Sequence, residues 1–98
     1  MDYWLQCNIS LGQFTGEYVV EATDFRDRLF SLFTPAEFVE YDAEPLQGQT
    51  VAGRLRVEPL AKDAHWVLVR LPRTPLENGA TVTVLDSQLT QTPAKELA

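Results

Sequence analysis

Apolar and polar residues alternate with a period of two through most of this chain, the period of strands that bury one face. In Tyr3–Ser10, Leu5, Cys7 and Ile9 point one way while Gln6, Asn8 and Ser10 point the other. Gly12 and Gly16 bracket a loop, and Glu17–Ala22 then sets Tyr18, Val20 and Ala22 inward. The two segments read as a hairpin with a longer loop. Thr50–Glu58 repeats the pattern, with Val51, Gly53, Leu55 and Val57 inward and Arg54 and Arg56 outward. Pro59–Ala64 reads as the next loop. His65–Leu71 then places Val67, Val69 and Leu71 inward against Trp66, Leu68 and Arg70. Pro72, Pro75 and Asn78-Gly79 mark a long turn, and Ala80–Leu85 sets Val82 and Val84 inward.

Residues 24–33 fit two periods. Phe25, Leu29, Leu32 and Phe33 recur at helical spacing behind Asp24, a competent cap. Phe30 falls off that stripe and Pro35 truncates any helix, so a turn followed by a strand Arg28–Phe33 is preferred. Thr34-Pro35-Ala36-Glu37 has the form of a helix start, with Thr34 as cap, proline in the first turn and Glu37 reaching back. A short strand follows, with Val39, Tyr41 and Ala43 alternating with Glu40, Asp42 and Glu44. Charge on that outer face is how an exposed sheet edge avoids pairing with other chains.

Six or seven short strands spaced about ten residues apart, with one helical turn, predict an all-β fold, a small antiparallel barrel or sandwich. The alternation does not choose between the two. No internal repeat is evident. Residues 1–90 read as one domain and 91–98 as a weakly ordered tail.

Composition narrows the picture further. The 98 residues are 45% hydrophobic and 22% charged, enough to bury a core without staples. A lone cysteine, Cys7, forms no internal disulfide, so nothing points to an oxidising compartment. The longest apolar run, Trp66–Val69, falls far short of a membrane span, and the opening residues lack a signal-peptide pattern. A cytoplasmic location is the default expectation. The net charge of −6 is uneven: residues 1–50 hold nine acids against Arg26 and Arg28, while residues 51–98 hold six bases against five acids. Such a balance argues against nucleic acid unless the bases gather on one face.

Candidate chemistry is sparse. There is no phosphate-cradling glycine loop and no serine elbow. A single histidine, His65, excludes a two-histidine metal site. Cys7 sits among inward positions, where it acts as a small hydrophobe. Glu40, Asp42 and Glu44 on a straight strand stand about 6–7 Å apart, too spread to share one cation. No catalytic residue, metal ligand or cofactor is therefore expected. The outward face carrying Arg54, Arg56, Trp66, Leu68 and Arg70 combines the residue types on which binding energy concentrates. Phe14, at the tip of its loop, either anchors a partner or folds back to plug the barrel. These residues predict a non-enzymatic domain that binds a protein partner or a second copy of itself, with no membrane role. The alternatives are a small oligonucleotide-binding barrel using the arginine and tryptophan face, and a small enzyme using Cys7 or His65.

Overall fold

The computed structural model describes residues 2–76 and 79–92. Among them run eight strands: β1 Asp2–Leu11, β2 Glu17–Thr23, β3 Leu29–Pro35, β4 Val39–Tyr41, β5 Thr50–Asp63, β6 Trp66–Arg70, β7 Thr81–Leu85 and β8 Leu89–Thr92. Three-residue 3₁₀ turns, Ala36–Phe38 and Asp86–Gln88, lead into β4 and β8. All pairings are antiparallel, in the order β3-β2-β1-β5-β6-β7, with β4 added on β5 and β8 on β1. The fold class expected from the alternation is the one observed, a small all-β fold whose main sheet curls into a half-barrel.

Most inward positions follow the alternation, with two exceptions: Ala43, expected to continue the strand of Val39 and Tyr41, lies beyond β4 and is exposed, and Trp4, off the inward set of β1, is buried. Leu5, Cys7 and Ile9 meet Tyr18, Val20 and Ala22, then Leu55, Val57, Val67, Val69, Leu71, Val82 and Val84, in one buried cluster. Residues 24–28 form the turn and Leu29–Pro35 the strand, with Phe30 and Leu32 buried, as the preferred reading required. Gly53 is an inward position where a side chain does not fit. A Cβ there would collide with Cδ1 of Ile9 and lie 2.5 Å from the Glu40 carbonyl oxygen. Ile9 thus crosses the sheet into space that only glycine leaves.

Two local expectations are corrected. Thr34 does not cap the turn: it is buried in β3 opposite Tyr18, and its Oγ1 donates to the Pro35 carbonyl at 3.3 Å. The cap position falls instead on Pro35, which is extended (φ −75°, ψ 166°) and has no side-chain acceptor to offer. Pro59–Ala64 is not a loop, because β5 continues through it to Asp63. The register shifts between Pro59 and Ala61, and a proline's missing N–H is tolerated beside such a bulge. Only Ala64 and His65 connect β5 to β6. β8 was not foreseen: it pairs Thr92 with Asp2 and Leu89 with Leu5, so residues 91 and 92 of the expected tail complete a strand and the remainder lies outside the described residues.

The sheet also contains a symmetry that the residues hide. Val39 pairs with Leu55 and Leu89 pairs with Leu5, so both members of the second pair lie fifty positions from their counterparts in the first. The same offset relates β1 to β5, β3 to β7 and one 3₁₀ turn to the other. For β2 and β6 it is forty-nine, aligning buried Tyr18, Val20 and Ala22 with buried Val67, Val69 and Leu71. Each half is a three-stranded meander, a 3₁₀ turn and a short strand laid on the first strand of the other half. Leu5 pairs directly with Leu55, and both are fully buried. The turns that follow β2 and β6 complete the exchange: Phe25 N–H donates to Thr83 O at 2.9 Å, and Leu76 N–H to Ser31 O at 2.9 Å.

Two substitutions test this account by thermal or denaturant unfolding. Gly53→Ala should cost about 1–3 kcal/mol, the usual range for overpacking. Ala64 holds φ at +53°, a region that costs an L-residue about 1 kcal/mol, so Ala64→Gly should stabilise the chain. A neutral Gly53→Ala or a destabilising Ala64→Gly would contradict the packing and turn described.

Candidate functional site

The residues singled out from sequence do face outward, but they do not form one surface. Arg54 lies on β5 opposite Gln6 and Glu40, where its Nη2 meets Glu40 Oε1 at 3.2 Å. Trp66 and Leu68 lie opposite Asp63 and Ala61, at the far end of the same long strand. Arg56 and Asp63 are seven residues apart, roughly 23 Å of strand. The arginines and the tryptophan therefore belong to two patches.

The first patch is apolar and aromatic. Trp66 is 49% exposed and Leu68 36% exposed on the outer side of β6. Phe25 packs against the Trp66 ring, centroids 5.6 Å apart and tilted by 60°, and the Arg26 guanidinium lies 5.1 Å from the Phe25 centroid. Asp24 builds the turn that presents Phe25: its Oδ1 accepts the backbone N–H groups of Arg26 and Arg28 at 2.8 and 2.9 Å. Partial desolvation pushes the Asp24 carboxyl up, but those two N–H bonds, helped by the Arg28 and Arg26 charges, outweigh it and leave the group below its ordinary value. A cavity of about 220 Å³ runs beside Trp66 and Leu68, walled by Ala61, Lys62, Asp63 and Thr83. Lys62 is held at its edge by Asp86, at 3.5 Å.

The second patch gathers arginines round a residue that sequence reasoning passed over. Phe38 ends the first 3₁₀ turn, and the guanidiniums of Arg56 and Arg73 lie 5.9 and 5.4 Å from its ring centroid. Beside it opens a groove of about 310 Å³ lined by Phe38, Arg56, Glu58, Arg70, Leu71 and Pro72. Arg70 pairs with Glu58 at 3.1 Å on its wall. Among the described residues no carboxylate lies within ion-pair distance of Arg56 or Arg73. Neither Phe38 nor Arg73 was legible beforehand. The first sat inside a helix-start pattern, the second between prolines, and only the strand register brings them together.

A larger hollow, about 440 Å³, lies on the outer side of β1 and β5 between Gln6, Asn8, Asp42, Arg54 and Thr90. Its cation is already engaged by Glu40, so the hollow offers a ligand less than the Phe38 groove does. No family model, curated protein or solved structure matches the chain. Any functional reading therefore rests on these surfaces alone.

The enzyme candidates do not converge. His65 is exposed in the β5–β6 turn, where its carbonyl accepts the Asp86 N–H at 2.7 Å. Cys7 is buried in the core, and burial pushes its thiol up to about 12, the Arg54 charge offsetting only part of this. Phe14 does not fold back over the core. It is 71% exposed at the tip of a hairpin turn held by Gly12 and Glu17. The acidic edge is divided too, since Glu40 is paired while Asp42 and Glu44 are exposed.

The buried thiol makes a pH prediction. A folded value near 12 against an ordinary 9.0 means that the unfolded chain ionises first. Stability is then full below pH 9 and falls as pH rises toward 12. Tyr41 adds to the same slope. Its hydroxyl is raised from 10.0 to about 12, first by the hydrogen bond with Tyr18 at 3.1 Å and then by desolvation. Thermal midpoints measured across alkaline pH should fall more steeply for the natural chain than for Cys7→Ala. The thiol should also resist alkylation at neutral pH until the chain unfolds.

Proposed function

We propose that this chain is a non-enzymatic interaction domain that binds another polypeptide. The observation that carries the reading is the uncovered outer face of β6. Trp66 and Leu68 stand next but one to each other on a strand whose buried residues alternate with them, and Phe25 extends their surface. A soluble face normally offers polar side chains at such positions, and contiguous apolar area rimmed by charge marks a contact site. The rim is present in Lys62, Asp63 and Arg26. Trp66 is also of the residue type most enriched among interface hot spots.

An oligonucleotide-binding role is the weaker alternative. Single-strand binding interleaves stacked aromatics with a continuous basic track. Here Trp66 lies opposite Asp63, nine and seven residues along β5 from Arg54 and Arg56, and the chain carries a net charge of −6. A catalytic role has no support from the positions of Cys7 and His65.

The test compares the natural chain with Trp66→Ser/Leu68→Ser, both tagged in the native host. A polypeptide recovered in stoichiometric yield with the first and lost with the second, at equal thermal stability, is the expected outcome. The same recovered set from both would sink the assignment to β6. Sedimentation velocity distinguishes a foreign partner from a second copy.

A further inference from the structure

The two-fold relation between the halves allows each surface to be compared with its counterpart in the same molecule. Gln88 occupies, in the second half, the place that Phe38 holds in the first: the last residue of a 3₁₀ turn. Gln88 is hydrogen-bonded at both ends of its amide. Its Oε1 accepts the Leu85 N–H at 2.7 Å, and its Nε2 donates to the Thr23 carbonyl at 2.8 Å, closing the turn onto the end of β2. The residue corresponding to Thr23 is Pro72, forty-nine positions on. Phe38 has no polar group to bond the Pro72 carbonyl, and that carbonyl is taken by the Arg73 guanidinium at 3.2 Å. The same turn is thus tied to the end of β2 on one side, next to the hollow at Gln6 and Asn8, and left without that tie at the Phe38 groove on the other.

The lining differs in the same direction. Gln6, Asn8 and Glu21 on the Gln88 side correspond to Arg56, Glu58 and Arg70 on the Phe38 side. Three arginines, counting Arg73, meet one glutamate there, in a chain that is acidic as a whole. Arg28, Arg54 and Lys62 elsewhere each have a carboxylate within 3.6 Å, whereas among the described residues Arg56 and Arg73 have no carboxylate partner and lie against the Phe38 ring, Arg73 also donating to the Pro72 carbonyl. A guanidinium lying over an aromatic face retains N–H donors for a carboxylate, and Arg73 has donors left beyond the one that Pro72 accepts.

We propose that the groove beside Phe38 binds an acidic, partly apolar segment of a partner protein, whose carboxylates are taken by Arg56 and Arg73. The proposal rests on the reading of the chain as a protein-binding domain and adds a second contact, distinct from Trp66 and Leu68. The apolar floor of Phe38, Leu71 and Pro72 accepts an aliphatic side chain between the carboxylates. Charge complementarity selects the acid. Glu58 in the wall and exposed Glu37 on the adjoining turn disfavour a continuous phosphodiester, which would meet them with like charge.

The experiment titrates the whole chain, isotope-labelled, with a synthetic peptide of alternating glutamate and leucine. The same peptide with glutamine in place of glutamate and a single-stranded oligothymidylate serve as comparison probes. Saturable amide shifts centred on Phe38, Leu71 and Arg73, weakened by salt and absent with the glutamine peptide, are expected. Arg56→Gln/Arg73→Gln should weaken binding roughly tenfold, and Arg56→Glu/Arg73→Glu should abolish it, while Arg28→Gln leaves it unchanged. Should the charge-reversed chain fail to fold, the glutamine pair and Phe38→Leu still decide the question, since both preserve bulk at the groove. The idea is overturned by equal binding of both peptides, by no saturable shift at millimolar peptide, or by tighter binding of the oligothymidylate. Failure of the broader reading looks different: no stoichiometric polypeptide is recovered from the host at all.

Discussion

The pairing of β1 with β5 is the constraint on which the rest of the molecule hangs. These strands run antiparallel from Tyr3–Val57 to Ser10–Thr50, and Leu5 faces Leu55 within that ladder, fully buried. On either side of the pair lie Leu89 and Val39, so four aliphatic residues from β8, β1, β5 and β4 form one row across the sheet. Burying such a row removes apolar surface from water at roughly 25 cal/mol per Å². It also fixes the register, because a slip of one residue would turn Leu5, Cys7 and Ile9 to the solvent side. Once that register is set, Gly53 must lie beneath Ile9, and each 3₁₀ turn must deliver its strand to the other half.

Much of this was legible because burial in a sheet writes itself as alternation. The inward residues of β1, β2, β6 and β7 could be listed from the sequence, and Phe30 and Pro35 were enough to choose strand over helix for β3. What could not be read has physical reasons. Pro59 looks like punctuation, but the register shift beside it lets the strand continue, so β5 passes through it. β8 holds little apolar material beyond Leu89 and takes its order from pairing with β1. The two-fold relation escapes notice because packing conserves only size and parity: Leu32 answers Val82, Thr34 answers Val84, and the outward residues are unconstrained.

The candidate surfaces divide along the same line. Arg56, Arg70, Trp66 and Leu68 are visible as outward residues on strands, but alternation that ends β5 at Glu58 puts them on one face. With β5 extended to Asp63, the tryptophan moves to one end and the arginines to the other. Phe38 and Arg73 lie outside any alternating segment, so only the folded register could bring them to Arg56. In both patches the aromatic ring is the fixed element and the arginine lies against it.

Asp2 and Thr92 lie opposite one another in the β1–β8 ladder, so the first and last described residues are neighbours in space. Tyr41 and Gly53 are opposed in the same way on the other side, across the 42–49 connection. The two places are alike in that strands of the two halves pair there. A chain opened within 42–49, with residue 92 linked to residue 2, would trace the same sheet with its halves in reverse order. The order of the two halves along the polypeptide is thus not dictated by the sheet they build.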